Sequence, residues 1–238
     1  MKYFLIMPAA GSGRRFQGDI PKQYAPLLDR TVIEWALAPF LGDPRCAHAV
    51  VAIAESDPTW PRVAARLAGE RLSATPGGDE RSVSVRRGLA ALAARADAGD
   101  WVVVHDAARP CLDLRDLGEL IMAVTAHGTG GLLGARAVDT LKQAQTDARA
   151  HQGPTVARTV DRTDLWRAFT PQMFRFGPLC AALDAAHSSG RYPSDEAQAL
   201  EWAGVRPLLV EGRATNLKLT TSEDLLLAEA VLRARRAA

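Results

Sequence analysis

Lys2-Tyr3-Phe4-Leu5-Ile6-Met7-Pro8-Ala9-Ala10-Gly11-Ser12-Gly13-Arg14-Arg15 is the stretch that decides the fold. Its first six residues form a short apolar run, which predicts a buried strand. Pro8 ends the run, and small residues with two glycines follow. Such residues let a backbone approach a ligand closely and aim its N–H groups at an anion. Arg14, Arg15 and Lys22 then add fixed positive charge at the same end of the strand. Together these features predict a nucleotide-phosphate site at the edge of a parallel sheet. The loop is not a P-loop, because G-x-x-x-x-G-K-[ST] spacing is absent. Nor is it a dinucleotide fingerprint: Gly11-Ser12-Gly13 opens one, but Phe16 stands where a third small residue is needed. A tight strand-to-helix turn with solvated arginines is the competing reading of this loop alone.

Outward from the loop, strands and helices alternate. Residues 47–54 (AHAVVAIA), 72–75 (LSAT) and 101–105 (WVVVH) predict three further buried strands. Between them, 31–40 has helical spacing of Val32, Trp35, Ala36 and Phe40 with Thr31 as N-cap, and 58–69 opens on a proline. Residues 79–96 predict a long amphipathic helix opened by Asp79 or Glu80, with Asp79 as cap and Val83, Leu89 and Leu92 on its apolar face. A helix over 112–127 and a glycine-rich strand over 130–135 follow. This alternation predicts an α/β fold with a doubly wound, mainly parallel sheet.

Past residue 135 the pattern breaks. Residues 136–159 are polar, with alternation over 138–142 and 155–160 and turn chemistry at Gln152-Gly153-Pro154. This predicts a long hairpin arm standing off the sheet, a structure that is marginal alone and usually finds a partner. A surface insertion without structure is the alternative. Phe169-Thr170-Pro171-Gln172-Met173-Phe174 is expected to be an edge strand because of its proline. Helices over 176–188 and 194–203, a strand over 206–210 and a helix over 221–236 come last.

The 238 residues suit one α/β domain, and 47% hydrophobic with 24% charged content is that of an ordinary globular protein. A net charge of +2 is too small to argue for nucleic acid or a membrane surface. No apolar run approaches the roughly 18 residues of a membrane helix, and the N-terminal run is too short for a signal peptide. Cys46, Cys111 and Cys180 are scattered, with no C-x-x-C pair, which points to a reducing cytoplasm and away from disulfides or zinc. The only lysines are Lys2, Lys22, Lys142 and Lys218. A chain so rich in arginine keeps lysine where a compact point charge is wanted, and of the four only Lys22 and Lys218 stand out, because motifs surround them.

In a doubly wound sheet, ligands sit beyond the carboxyl ends of the strands. Three segments reach that rim: residues 9–15, then Gly77-Gly78-Asp79-Glu80-Arg81 with Ser84, then Asp106, Ala107 and Arg109. Two glycines before a helix suit backbone contacts to the edge of a base. Each segment has a plainer explanation. Gly77-Gly78 serves as a turn, Asp106 as a cap, and Arg109 pairs with Asp106 on the surface, where such a pair contributes about 0–1 kcal/mol. His105 alternates away from Asp106 and is expected to be packed. Their joint occurrence on one rim favours a site.

PAAGSGRR, PKQY, GGDER, VHDAARP, VDT, TVDR, TPQ, SDEA and EGRATNLKLT occur here in an order that resembles the 2-C-methyl-D-erythritol 4-phosphate cytidylyltransferase family of the non-mevalonate isoprenoid pathway. The resemblance spans nearly the whole chain. It implies a Rossmann-like sheet of the nucleotide-diphospho-sugar transferase type in a single domain, 1–238. Residues 136–160 would be a protruding β-arm subdomain that makes a homodimer. It also implies Mg²⁺-CTP and methylerythritol phosphate as substrates, with Mg²⁺ held mainly by the CTP phosphates and Asp106 a candidate ligand. With no second catalytic domain after the last helix, the single-function form is expected. By the same resemblance, Arg15 and Lys22 stabilise charge on the α-phosphate. Ala9, Ala10, Gly11 and Gly13 line the triphosphate, and Gly77, Gly78, Asp79 and Ser84 hold cytosine and ribose. Asp106, Ala107 and Arg109 contact nucleotide and substrate. Arg162, Thr170 and Lys218 position methylerythritol phosphate, and Thr140 reaches over from the partner's arm. Two positions depart from the family pattern: Ser194 replaces threonine and keeps the hydroxyl, and Thr215 replaces the aspartate before Asn-x-Lys.

The expected chemistry is electrostatic. A phosphate monoester has a second pKa of about 6, so its oxygen is ionised at neutral pH and needs no general base. No His–carboxylate pair or nucleophile elbow is evident. Two charges about 4 Å apart interact by roughly 4 kcal/mol at an effective dielectric near 20, so bringing two anions together requires several cations. Three other readings remain open from the sequence. A ribitol 5-phosphate cytidylyltransferase shares the nucleotide half, and a non-catalytic nucleotide-binding regulator would need no Lys22. An NAD(P) oxidoreductase is disfavoured by Phe16.

Overall fold

The computed structural model describes residues 1–11, 20–67, 69, 71–145 and 153–237. Strand β1 (Tyr3–Pro8) lies in the middle of the main sheet. After it come a 3₁₀ turn (Lys22–Tyr24), a small hairpin of β2 (Pro26–Leu27) and β3 (Arg30–Thr31), and helix α1 (Val32–Leu41). Next in order are β4 (Cys46–Ile53), α2 (Trp60–Arg66), β5 (Leu72–Pro76), α3 (Arg81–Leu92), β6 (Trp101–Val104), α4 (Leu114–His127) and β7 (Gly131–Arg136). They are followed by β8 (Leu141–Gln145), β9 (Thr155–Val160), β10 (Trp166–Arg175), α5 (Phe176–Ser188), α6 (Glu196–Trp202), β11 (Leu208–Glu211) and α7 (Glu223–Ala237).

Seven strands form one sheet in the order β11-β7-β10-β6-β1-β4-β5. All run parallel except β10, which is antiparallel to both β6 and β7. The alternation of β1 feeds two cores. Tyr3, Leu5 and Met7 pack with Ile33, Leu37 and Phe40 of α1, while Phe4 and Ile6 pack with Val85, Leu89 and Leu92 of α3. Leu5 and Ile6 are fully buried, and each such side chain contributes about 1.5–3 kcal/mol. Helices on both faces make the sheet doubly wound. The chain runs from β1 outward through β4 to β5, then returns to β6 on the other side of β1. The carboxyl ends of β1 and β6 are therefore a topological switch point, where such folds bind ligands.

Two local expectations are corrected. The strand containing Pro171 is not an edge: β10 lies between β7 and β6. Proline is tolerated there because the register with β7 slips between Ala168 and Gln172, and pairing with β6 begins only at Gln172. Asp79 does not cap α3. The N-cap is Glu80, with an extended backbone and no capping side chain, and the helix stops at Leu92. By contrast, the start of α1 is tied at Thr31, whose backbone N–H donates to the Glu34 carboxylate (2.7 Å).

Among the described residues β8 and β9 pair only with each other, as an antiparallel two-stranded sheet. Lys142 donates to Thr159 (2.7 Å) and Arg158 to Gln143 (2.7 Å) across it. Both strands are almost entirely exposed.

Candidate active site

At the end of β1, Pro8 to Gly11 form one wall of a cleft of about 640 Å³, a volume suited to a nucleotide-sized ligand. The wall is pinned on both sides. Ala9 N–H donates to the Ala52 carbonyl (2.7 Å), and the buried Gln23 amide donates to the carbonyls of Ala9 (2.8 Å) and Gly11 (3.4 Å). Lys22, next to Gln23, lines the same cleft and donates to the Leu219 carbonyl (3.2 Å).

The second wall comes from the turn after β5. Gly77 N–H donates to the Ile53 carbonyl (2.6 Å), tying this turn to the end of β4. A Cβ on Gly77 would lie 2.4 Å from Ala10 Cβ, and one on Gly78 would lie 2.4 Å from Val83 Cγ1. Glycine is required here by space. Ser84 supplies the side-chain bond that the Glu80 N-cap does not: its Oγ accepts from Gly78 N–H (3.0 Å) and lies 3.3 Å from the carbonyls of Gly78 and Glu80.

The floor is Asp106, just past β6. Its backbone N–H donates to Thr170 Oγ1 (3.0 Å). Arg81 Nε donates to its Oδ1 (2.9 Å), Lys218 Nζ lies 2.7 Å from its Oδ2, and Arg109 Nε lies 3.8 Å from Oδ2. Burial by itself would raise the pKa of this carboxyl. Arg81, Lys218 and Arg109 outweigh burial and hold it well below the usual carboxylate range. Asp106 is thus a fixed anion that gathers cations at the strand end.

A neutral network lies beneath. His105 is fully buried, and burial pushes its pKa down to about 4, so the ring is uncharged at neutral pH. Its Nε2 is 3.1 Å from the Arg109 carbonyl and its Nδ1 is 3.0 Å from Thr170 Oγ1. A carbonyl can only accept, so Nε2 carries the proton and Nδ1 accepts from the Thr170 hydroxyl. Asn216 donates to the Thr170 carbonyl (2.8 Å), and Leu219 N–H donates to the Ala108 carbonyl (2.8 Å). These bonds dock the segment carrying Lys218 onto the Asp106 turn.

Ala9, Ala10, Gly11, Lys22, Gly78, Asp79, Ser84, Asp106, Ala107 and Lys218 all line the cleft. Gly77 stands just behind it as a buttress. Arg109 and Thr170 are buried under the floor; Arg109 donates to the Asn216 carbonyl (2.7 Å) and stacks on Phe169. Asp106 and Arg109 are 6% and 7% exposed, so their pairing is not the surface contact that sequence allowed. Ser194 is exposed beside α6, and Thr140 and Arg162 are exposed near the β8–β9 hairpin, where Arg162 donates to the Val138 carbonyl. None of these three lines the cleft. Gly13, Arg15 and the fingerprint position Phe16 lie outside the described residues. Glu80 and Arg81, placed on the rim by the sequence but given no role there, line the cleft as well, and so do Gln23 and Ala108, which the sequence did not single out. Arg81 was recoverable from the Gly-Gly-Asp-Glu-Arg stretch, whereas Gln23 carries no local signal beyond its place after Lys22.

The comparisons agree with one another. A family model described as IspD, 2-C-methyl-D-erythritol 4-phosphate cytidylyltransferase, matches residues 3–234. The chain is 49% identical over 225 residues to the 2-C-methyl-D-erythritol 4-phosphate cytidylyltransferase of Ectopseudomonas mendocina, covering 94% of this chain and 93% of that protein. It is 48% identical over 240 residues to the protein of that name from Halorhodospira halophila, covering 100% and 96%. Among solved structures, a 4-diphosphocytidyl-2C-methyl-D-erythritol synthase superposes with a TM-score of 0.83 at 35% identity, covering 97% of this chain and 98% of that one. The Francisella tularensis 2-C-methyl-D-erythritol 4-phosphate cytidylyltransferase gives 0.79 at 32%, covering 97% and 100%. Cleft, sheet order and relatives lead to one conclusion: this chain belongs to the 2-C-methyl-D-erythritol 4-phosphate cytidylyltransferase family.

Proposed function

We propose that this protein joins CTP and 2-C-methyl-D-erythritol 4-phosphate, giving 4-diphosphocytidyl-2-C-methyl-D-erythritol and pyrophosphate. The observation that carries the reading is the convergence of Lys22 and Lys218 on one cleft at the β1–β6 switch point, with Asp106 holding Lys218 in place. An oxygen of the sugar phosphate attacks the α-phosphorus of CTP in line. One P–O bond forms, the bond to the β-phosphate breaks, and pyrophosphate carries away the electron pair. The attacking oxygen is already ionised, so no base is needed. His105 is unsuited to that task in any case, since it is buried with both nitrogens engaged. The chain's part is to crowd cations around two anions, with Lys22 and Arg15 at the α-phosphate and Lys218 at the incoming phosphate.

Mg²⁺ is part of the proposal. Among the described residues no three His, Cys, Asp or Glu side chains cluster to hold an ion, and both Asp106 oxygens are already engaged. That donor set fits a metal carried by the CTP phosphates with Asp106 as the neighbouring protein carboxylate. Bound there, Mg²⁺ supplies additional neutralisation of the triphosphate charge.

The exposed β8–β9 hairpin supports a homodimer in which Thr140 reaches over to the partner's cleft. Gel filtration at micromolar concentration is expected to give twice the monomer mass, and a monomeric peak would remove that role. Three free thiols, two of them buried, suit a cytoplasmic location, and among the described residues no helix is long and apolar enough to cross a membrane. Pyrophosphate release tests the substrate. It should be rapid with 2-C-methyl-D-erythritol 4-phosphate and at least about tenfold slower in kcat/KM with ribitol 5-phosphate. The reverse order would overturn the assignment.

A further inference from the structure

Arg81 is held from two sides. Its Nε donates to Asp106 Oδ1 (2.9 Å), while its terminal nitrogens Nη1 and Nη2 donate to Glu196 Oε1 (2.7 Å) and Oε2 (3.1 Å). Glu196 comes from α6, 115 residues away, and is fully buried. It does not line the cleft. Burial disfavours the charge on both partners and pushes the Glu196 carboxyl up, but for Arg81 the two facing acids outweigh it and keep the guanidinium protonated.

A guanidinium can grip a carboxylate with two parallel bonds, from its end or from its side. Glu196 occupies the end. Asp106 therefore receives one bond, from Nε to Oδ1, and its Oδ2 remains for Lys218 at 2.7 Å. Without Glu196, the terminal fork of Arg81 is released to turn toward both Asp106 oxygens, where it competes with Lys218 for Oδ2. We infer that Glu196 is a positioning residue for cytidylyl transfer: it occupies the terminal fork of Arg81 so that Asp106 keeps one oxygen for Lys218. This inference rests on the assignment of Lys218 to the reacting phosphates.

The test is Glu196→Gln, which keeps the shape of the side chain but sets an amide NH₂ against an arginine N–H. The expected result is a kcat lowered about tenfold, the size of losing one charge-assisted contact, with KM for CTP within about twofold of wild type. Calorimetric CTP binding on the same variant verifies the fold. Because Glu196 acts through Lys218, the double variant Glu196→Gln/Lys218→Gln should be no slower than Lys218→Gln alone. Arg81→Lys is the second probe. One ammonium cannot hold both carboxylates as a fork, so a similar loss of kcat is expected. Wild-type kcat in either single variant, or losses that multiply in the double variant, would overturn the inference. Pyrophosphate release by the unmodified enzyme would be untouched by that outcome, so the two claims fail separately.

Discussion

Lys22→Ala is expected to lower kcat by about 10³-fold while the protein still folds. Lys22 is half-buried in the 3₁₀ turn and lines the cleft rather than either main core. Its removal should therefore change stability by about 1 kcal/mol or less. The loss in rate is electrostatic. One unit charge about 4 Å from a phosphoryl oxygen contributes roughly 4 kcal/mol at an effective dielectric near 20, and about 1.36 kcal/mol is a factor of ten in rate. The reaction presses an anion onto an anion, so this charge matters more in the transition state than in the bound substrates, and the deficit should appear in kcat. Single-turnover measurement of pyrophosphate release on a variant with wild-type melting behaviour is the check. A kcat near wild type would show that Lys22 is a bystander and would revive the reading of a binding protein without catalysis.

The second large effect is expected from a single methyl group. Gly77→Ala places a Cβ 2.4 Å from Ala10 Cβ, 2.9 Å from Ser84 Oγ and 3.3 Å from the Ile53 carbonyl oxygen. Carbon atoms pack at about 3.5–4.0 Å, so something must move by about 1 Å. Neither neighbour is a flexible tip. Ala10 Cβ is fixed to the backbone of the first loop, and Ser84 is buried and bonded to the turn. The turn itself is anchored to Ile53. The loop is thus the part that yields, and a misplacement of about 1 Å costs about 100-fold in a site that depends on alignment. Overpacking should also cost about 1–3 kcal/mol of stability. Steady-state kinetics with varied CTP should show kcat/KM down about 100-fold. Kinetics within a few-fold of wild type would mean that this glycine is only a turn.

Much of the architecture was legible because parallel strands announce themselves as unbroken apolar runs. Trp101 to Val104 and Cys46 to Ile53 are buried on both faces, so no alternation hides them. Pro171 misled for a definite reason. Proline excludes a central strand only where its missing N–H would be needed, and the register slip in β10 removes that need. The cap of α3 misled because Asp79 and Glu80 are adjacent acids, and backbone conformation rather than side-chain preference chose Glu80. The two glycines, Asp106 and the two lysines could be named from local pattern. Their partners could not. Arg81 meets Glu196 across 115 residues, and His105 meets Thr170 across 65, and periodicity carries no information about such distances.

The central claim is that this cleft gathers cations to receive a nucleotide's polyphosphate. Isothermal titration calorimetry of the unmodified protein with CTP in the presence of Mg²⁺ tests it most directly. A saturable heat with CTP, weakened by Lys22→Ala and absent with NADH, is the predicted result. No heat from CTP, or a preference for NADH, would contradict it.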